Sequence, residues 1–105
     1  MEQRQNNNPS RPKQNSSSNV IFIGKKPAMA YVLACVTQLN GGHNEIIIRA
    51  RGRAISHAVD VAQIVKNKFM IDTEISKVNV GTEIVKDISG QELNVSSIEI
   101  FLGKR

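Results

Sequence analysis

Residues 45–56, Glu-Ile-Ile-Ile-Arg-Ala-Arg-Gly-Arg-Ala-Ile-Ser, predict a strand that ends in a basic turn and continues into a helix. The apolar run at residues 46–48 is typical of an interior strand, buried on both faces of a sheet. Arginines then alternate with small residues from Arg49 to Arg53, and Gly52 allows the backbone to come close to a ligand. Guanidinium groups bind phosphate oxygens through paired hydrogen bonds. The stretch therefore predicts a βα unit with an anion-binding turn.

A similar unit precedes this one in the chain. Residues 20–23, Val-Ile-Phe-Ile, form a second apolar run of the interior type, and Gly24 ends it. Pro27 suits the first turn of a helix because its missing N–H costs nothing there. Apolar residues then recur at spacings of three and four until Asn40-Gly41-Gly42 ends the helix, namely Met29, Val32, Leu33, Val36 and Leu39. The connection is long enough to make the two strands parallel.

A second helix is predicted from about Ala54 to Phe69. One apolar stripe is expected along it, formed by Ile55, Ala58, Val59, Ala62, Val65 and Phe69. Val61 and Ile64 lie on the other side of this predicted helix. A domain of this size has little interior with which to surround a helix, so the second apolar side favours a self-association surface.

The last third of the sequence predicts a long antiparallel hairpin. Beyond Asp72 apolar and polar residues alternate, and Ser89-Gly90 marks the turn. The apolar phase changes between Val95 and Ile98, which predicts a bulge there. The element order is therefore β-α-β-α-β-β, and the fold class is α+β, a two-layer sandwich with a mixed four-stranded sheet.

Charge is distributed unevenly along the 105 residues. The net charge is +5 and the pI about 9.7, which favours an acidic partner. Residues 19–68 contribute +5, whereas residues 69–105 contribute −2. Residues 1–18 are polar and basic without an apolar run, so we expect a disordered tail, either solvated or loosely bound to nucleic acid, before a domain at 19–105.

Several function classes have little support in the residues. No segment approaches the roughly 20 apolar residues of a membrane span, so we expect a soluble, intracellular protein without a membrane partner. Cys35 is the single cysteine and is expected to be a small buried hydrophobe; His43 and His57 stand outside metal-ligand spacing and are expected to be exposed or to face a partner. We therefore predict no enzyme, no metal site and no cofactor.

Two basic clusters stand at equivalent positions of the two βα units. Residues 24–27, Gly-Lys-Lys-Pro, follow the first strand, and residues 49–53 follow the second. In parallel neighbouring strands both clusters emerge at the same sheet edge, near two helix N-termini. Neither cluster matches a P-loop or a dinucleotide turn. Aromatic residues are few and Tyr31 falls within a helix, so the clusters predict a backbone-phosphate site without base stacking.

Two segments carry a family resemblance: residues 19–27, Asn-Val-Ile-Phe-Ile-Gly-Lys-Lys-Pro, and residues 49–56, Arg-Ala-Arg-Gly-Arg-Ala-Ile-Ser. Together with Ala58-Val59-Asp60, Lys68-Phe69 and Ser97-Ile98-Glu99-Ile100, they resemble the Alba family, the small basic chromatin proteins of archaea. The resemblance covers residues 19–105. It implies a fold like the C-terminal domain of translation initiation factor 3, acting as a homodimer or as a heterodimer with a paralogue.

The resemblance also implies roles for particular residues. Lys25 and Lys26 would lie at the centre of the nucleic-acid surface, with Lys25 acetylated and deacetylated by lysine-modifying enzymes. Phe69 would pack dimer against dimer. The other implied nucleic-acid contacts are Asn19, Arg49, Arg51, Arg53 and, on a hairpin that follows the minor groove, Lys86. In this hairpin acidic residues outnumber Lys86, whereas relatives often carry more basic groups.

The residues and the resemblance together predict a sequence-nonspecific double-stranded DNA-binding architectural protein. As a dimer it would coat and compact DNA through phosphate contacts, and it would be cytoplasmic and chromosome-associated. An RNA-binding protein or ribonucleoprotein subunit that uses the same basic surface is the alternative. An enzyme of phosphorylated small molecules would need a general base and a P-loop, which the sequence lacks.

Overall fold

The computed structural model describes residues 19–105, so the tail predicted at residues 1–18 lies outside the described residues. The predicted element order β-α-β-α-β-β is confirmed. In chain order the elements are β1 (Val20–Phe22), α1 (Ala28–Asn40), β2 (Glu45–Arg51), a 3-10 turn (Gly52–Ala54), α2 (Ile55–Ile64) with a π-helical continuation (Val65–Phe69), β3 (Thr73–Lys86) and β4 (Glu92–Lys104).

The four strands form one mixed sheet in the order β1-β2-β4-β3. β1 runs parallel to β2, while β4 is antiparallel to both β2 and β3. The predicted α+β class with a mixed four-stranded sheet is therefore confirmed. Because β1 and β2 are parallel neighbours, the turns that follow them lie at the same edge of the sheet.

Both helices pack on one face of this sheet. Buried side chains alternate along β2, where Ile46, Ile48 and Ala50 face the helices. The core joins them to β1, α1, α2 and β4, through Ile21, Val32, Cys35, Leu39, Ala58, Val61, Ala62, Val65, Ile100 and Leu102. The predicted burial of the two apolar strands on both faces is therefore wrong: in a two-layer fold the second face stays open, and Phe22 is 68% exposed on it.

The core-facing side of α2 differs from the predicted stripe. Val61 is fully buried, whereas Val59 and Phe69 are 42% and 48% exposed. The apolar residues of α2 cover too wide an arc for their spacing to select the core side. Contact with the sheet makes that selection, and it leaves Val59 facing outward.

The hairpin pairs without interruption from Gly81 opposite Ser97 to Lys86 opposite Glu92. Its register shift lies between Ile75 and Lys77, so the bulge predicted between Val95 and Ile98 is wrong. Val95 and Ile98 are three residues apart and therefore occupy opposite faces of a regular strand. The change in apolar phase arises because Val95 lies on the open face of the sheet. It requires no extra, bulged residue in the strand.

Candidate nucleic-acid interface

The two basic turns meet at the carboxyl edge of β1 and β2, as the sequence predicts. A cleft of about 660 Å³ separates them, lined by Lys25 from the β1–α1 loop and by Arg51 and Arg53 from the end of β2 and the turn after it. Ser56 and His57, from the first turn of α2, complete this wall. The N-terminal end of a helix carries partial positive charge, which adds to that of the side chains. The cleft is therefore suited to an anion.

Tyr31 and His57 hold the loop that carries the two lysines. The backbone N–H groups of Gly24 and Lys26 donate to the Tyr31 hydroxyl at 2.8 and 3.1 Å. The His57 Nε2 lies 2.8 Å from the Lys26 carbonyl oxygen, which can only accept, so this nitrogen carries a proton. The two rings meet edge to face, with centroids 5.8 Å apart.

This loop clamp, Tyr31 with His57, was not predicted. His57 was expected to be exposed or to face a partner; in the structure its ring is partly exposed, and it also bonds the loop. The sequence signal that could have predicted the clamp is the position of Tyr31, four residues after Pro27 and within the first turns of α1. Gly24 fits beneath the clamp, because a Cβ atom there would stand 3.2 Å from the Tyr31 hydroxyl.

Two of the predicted phosphate-binding arginines are paired with carboxylates on the open face of the sheet. Arg49 Nε lies 3.2 Å from a Glu99 oxygen, and Arg51 Nη1 lies 3.2 Å from Glu83. A longer contact of 4.0 Å joins Arg49 to Glu83. Ion pairs this exposed contribute about 0–1 kcal/mol, so phosphate can compete for the guanidinium groups.

The remaining cations of the cluster are Lys25, Lys26 and Arg53. Each side chain is exposed, and none has a carboxylate partner among residues 19–105. Their charge is therefore not offset locally. These three residues therefore form a group of cations at this edge of the sheet without ion pairs to the described residues.

Three other residues from the resemblance lie away from the cluster. Asn19 precedes β1 and donates to the Glu45 carbonyl at the amino end of β2, about 16 Å of extended chain from Gly24. Lys86 ends β3 opposite Glu92, near the hairpin tip. Phe69 ends the π-helical segment and is exposed. None of them shares the cleft.

Other chemistry finds little support within residues 19–105. No group of three histidine, cysteine or acidic side chains there is placed to hold a metal ion, and no helix is long and apolar enough to cross a membrane. Cys35 is buried, as predicted, and burial raises the pKa of its thiol to about 12. Ser76 Oγ donates to Glu45, and within residues 19–105 no hydrogen bond or ion pair joins Glu45 or Asp60 to a histidine.

The fold and the site define a two-layer α+β domain with a basic cleft at one edge of a mixed sheet. The chain belongs to the Alba family, whose model matches residues 19–84. It is 56% identical over 84 residues to the DNA/RNA-binding protein Alba of Methanocella arvoryzae, an alignment that covers 80% of this chain and 88% of that protein.

A solved structure agrees with this assignment. Alba from Thermoplasma volcanium matches with a TM-score of 0.77 and 52% identity, over 81% of this chain and 99% of that one. ALBA1 from Trypanosoma brucei shares the fold, with a TM-score of 0.68 and 24% identity over 86% of this chain and 72% of that one.

Proposed function

We propose that this chain binds nucleic acid through a basic surface formed by Lys25, Lys26 and Arg53, with Arg51 beside them. The observation that carries the proposal is the cleft into which parallel strands bring Lys25, Arg51 and Arg53. The name of the Methanocella arvoryzae relative, DNA/RNA-binding protein, supports a nucleic acid as the anion. Cations on flexible stems bind phosphates of any sequence, so the binding is sequence-nonspecific.

The ligand that we propose is double-stranded DNA, which the protein coats and compacts as a chromosome-associated architectural protein. RNA is the second candidate, since the relative's name includes it and the same cations can contact an A-form backbone. A competition titration of duplex DNA against structured RNA at one salt concentration distinguishes the two. Displacement of DNA by a smaller amount of RNA would make RNA the principal ligand.

Replacing Lys25 and Lys26 with alanine tests the surface itself. Each phosphate contact contributes about 0.9 to the slope of log affinity against log salt, so losing two lowers the slope by about 1.8. The matched control replaces Lys68 and Lys104, exposed lysines at the far end of the α2 region and at the opposite end of β4. An equal slope in both double variants would refute the proposed surface.

We further propose that the chain acts as a dimer, with itself or with a paralogue. The hairpin extends beyond the helices and leaves Val78, Val80 and Ile84 exposed, with Val80 at 79%. Val59 is exposed on α2. Val78, Val80 and Ile84 stand at even spacing along β3, and an apolar stripe of this kind is seldom left in water by a lone domain, which favours burial against another subunit. Sedimentation equilibrium should show a dimer that Val80→Asp converts to monomer; a monomeric parent would refute it.

Phe69 and Lys25 carry two finer proposals. Phe69 packs dimer against dimer along DNA, so Phe69→Ala should reduce the cooperativity of binding without changing dimerisation.

Acetylation of Lys25 removes one uncompensated charge, and acetylating and deacetylating enzymes would then regulate the surface. Protein carrying acetyl-lysine at position 25 should bind duplex DNA more weakly and with a smaller salt slope; unchanged affinity would exclude this regulation.

A further inference from the structure

The open face of the sheet carries an exposed aromatic ring next to a planar cation. Phe22 lies on β1, the edge strand, and is 68% exposed because both helices cover the other face. Its register partner on β2 is Arg49, whose guanidinium carbon lies 5.5 Å from the ring centroid. Leaving a phenyl ring in water is unfavourable, so Phe22 is a candidate for contact with a ligand.

A second cleft adjoins this ring and differs in chemistry from the basic cleft. Its volume is about 370 Å³, within the range of small-ligand sites, and it is lined by Phe22, Arg49, Arg51 and Glu83 together with Ile23 and Ala50. Both arginines are paired with carboxylates here, so the cleft is nearly neutral. A phosphate gains less at this face than at the edge where Lys25 stands.

We propose that this second cleft binds an unpaired nucleobase of single-stranded nucleic acid. Every base has a π-face that can stack on an aromatic ring or on a guanidinium plane. The Glu83 carboxylate can accept a hydrogen bond from an amino group of a base, a contact that carboxylates make with cytosine. The strand backbone would then lie toward Arg51, which lines both clefts, and Lys25.

This arrangement discriminates between single strands and duplexes. In a duplex the base faces are stacked on each other and cannot reach Phe22, whereas the phosphates remain accessible to the basic edge. The inference rests on the proposed function only for the backbone contacts. The two can fail separately, because duplex affinity depends on Lys25 and Lys26 and the discrimination depends on Phe22.

The test compares three fluorescein-labelled probes on the full chain: a single-stranded oligonucleotide of mixed sequence, the same backbone without bases, and a hairpin duplex. Phe22→Leu keeps an apolar strand residue and removes the ring. It should weaken single-strand binding about five- to hundredfold and leave the other two probes unchanged. Phe22→Tyr should bind like the parent. The matched control is Phe101→Leu, which removes a ring on the same face, opposite Ile47 and covered by Lys77, that does not line the second cleft.

A direct reading of stacking comes from Phe22→Trp, because the chain contains no tryptophan. Its fluorescence should be quenched by the single strand but not by the backbone without bases. The inference is overturned if Phe22→Leu binds the single strand like the parent, if it weakens all probes equally, or if only self-association changes. A parent that binds duplex and fails to prefer the single strand over the bare backbone also overturns it. Loss of binding to all three probes by the parent would instead refute the proposed function.

Discussion

Tyr31→Phe removes one oxygen atom from the loop clamp and leaves the side chains of the basic surface in place. The hydroxyl accepts hydrogen bonds from the backbone of Gly24 and Lys26, on either side of Lys25. The ring itself remains to contact His57. The variant therefore separates the presence of the lysines from the order of the loop that presents them.

The expected magnitude follows from these two bonds. Each neutral hydrogen bond contributes about 0.5–1.5 kcal/mol net, and water can replace the hydroxyl at this exposed position, so the pair stabilises the loop by about 1–2 kcal/mol. If only the clamped form binds, the apparent duplex affinity is proportional to the fraction of molecules in which the loop is clamped. Loss of about 1–2 kcal/mol of loop stability therefore lowers the duplex affinity by up to about 5–30-fold. The salt slope should not change, because Lys25 and Lys26 still contact phosphate.

The assay is fluorescence anisotropy of a labelled duplex at four or more salt concentrations. Thr37→Val serves as the control, since it removes a hydroxyl from an exposed position of the same helix away from the loop. Chemical denaturation of both variants reports whether global stability has changed. Duplex affinity equal to that of the parent would refute the role of the clamp, and a smaller salt slope would show that Tyr31 acts through the number of phosphate contacts.

Three further predictions concern single side chains. Burial raises the Cys35 pKa to about 12, so a thiol reagent should label the folded protein far more slowly than the unfolded protein at neutral pH; equal rates would contradict the burial. Asp87 accepts bonds from the Ser89 hydroxyl and from nearby backbone N–H groups, which lowers its pKa below the ordinary 3.8. The stabilisation of the hairpin tip by the Asp87 carboxylate is therefore present above pH 3.8 and lost as pH falls through the lowered pKa. The NMR resonance of the Ser89 amide should shift over the same pH range. This shift should be absent in Asp87→Asn. Glu83→Gln frees Arg51 and should raise duplex affinity about 1.5–5-fold at low salt, whereas unchanged affinity would mean that Arg51 does not contact the ligand.

Element order was predictable because its signals are local. Pro27 at a helix start, Gly41 after a helix end and the turn at Ser89-Gly90 act within a few residues of the structure that they specify. The same is true of the edge where the two basic turns meet, which follows from two consecutive βα units. Predictions of this kind need only the spacing of the apolar residues and the positions of proline and glycine. They do not need the tertiary contacts.

Which side of each strand or helix faces the core was less predictable, because this choice depends on contacts between residues that are distant in the sequence. Four consecutive apolar residues at 20–23 are compatible with burial on one face or on two, and only the placement of both helices on one face decides it. The pairing of Arg49 with Glu99 requires the β2–β4 register, in which these residues stand opposite each other fifty positions apart in the chain. Periodicity cannot supply that register.

The cross-strand carboxylates change how the basic surface works. A row of free arginines would extend the positive field across the open face, where a duplex and a single strand would both be attracted. With Glu83 and Glu99 beside Arg49 and Arg51, the cations of the two basic turns that keep an uncompensated charge are Lys25, Lys26 and Arg53 at the edge. Phosphates are then favoured at the edge, while the neutral face beside Phe22 is left for uncharged, planar groups. One sheet thus offers two chemically distinct surfaces, and the side on which the helices pack determines which residues belong to each.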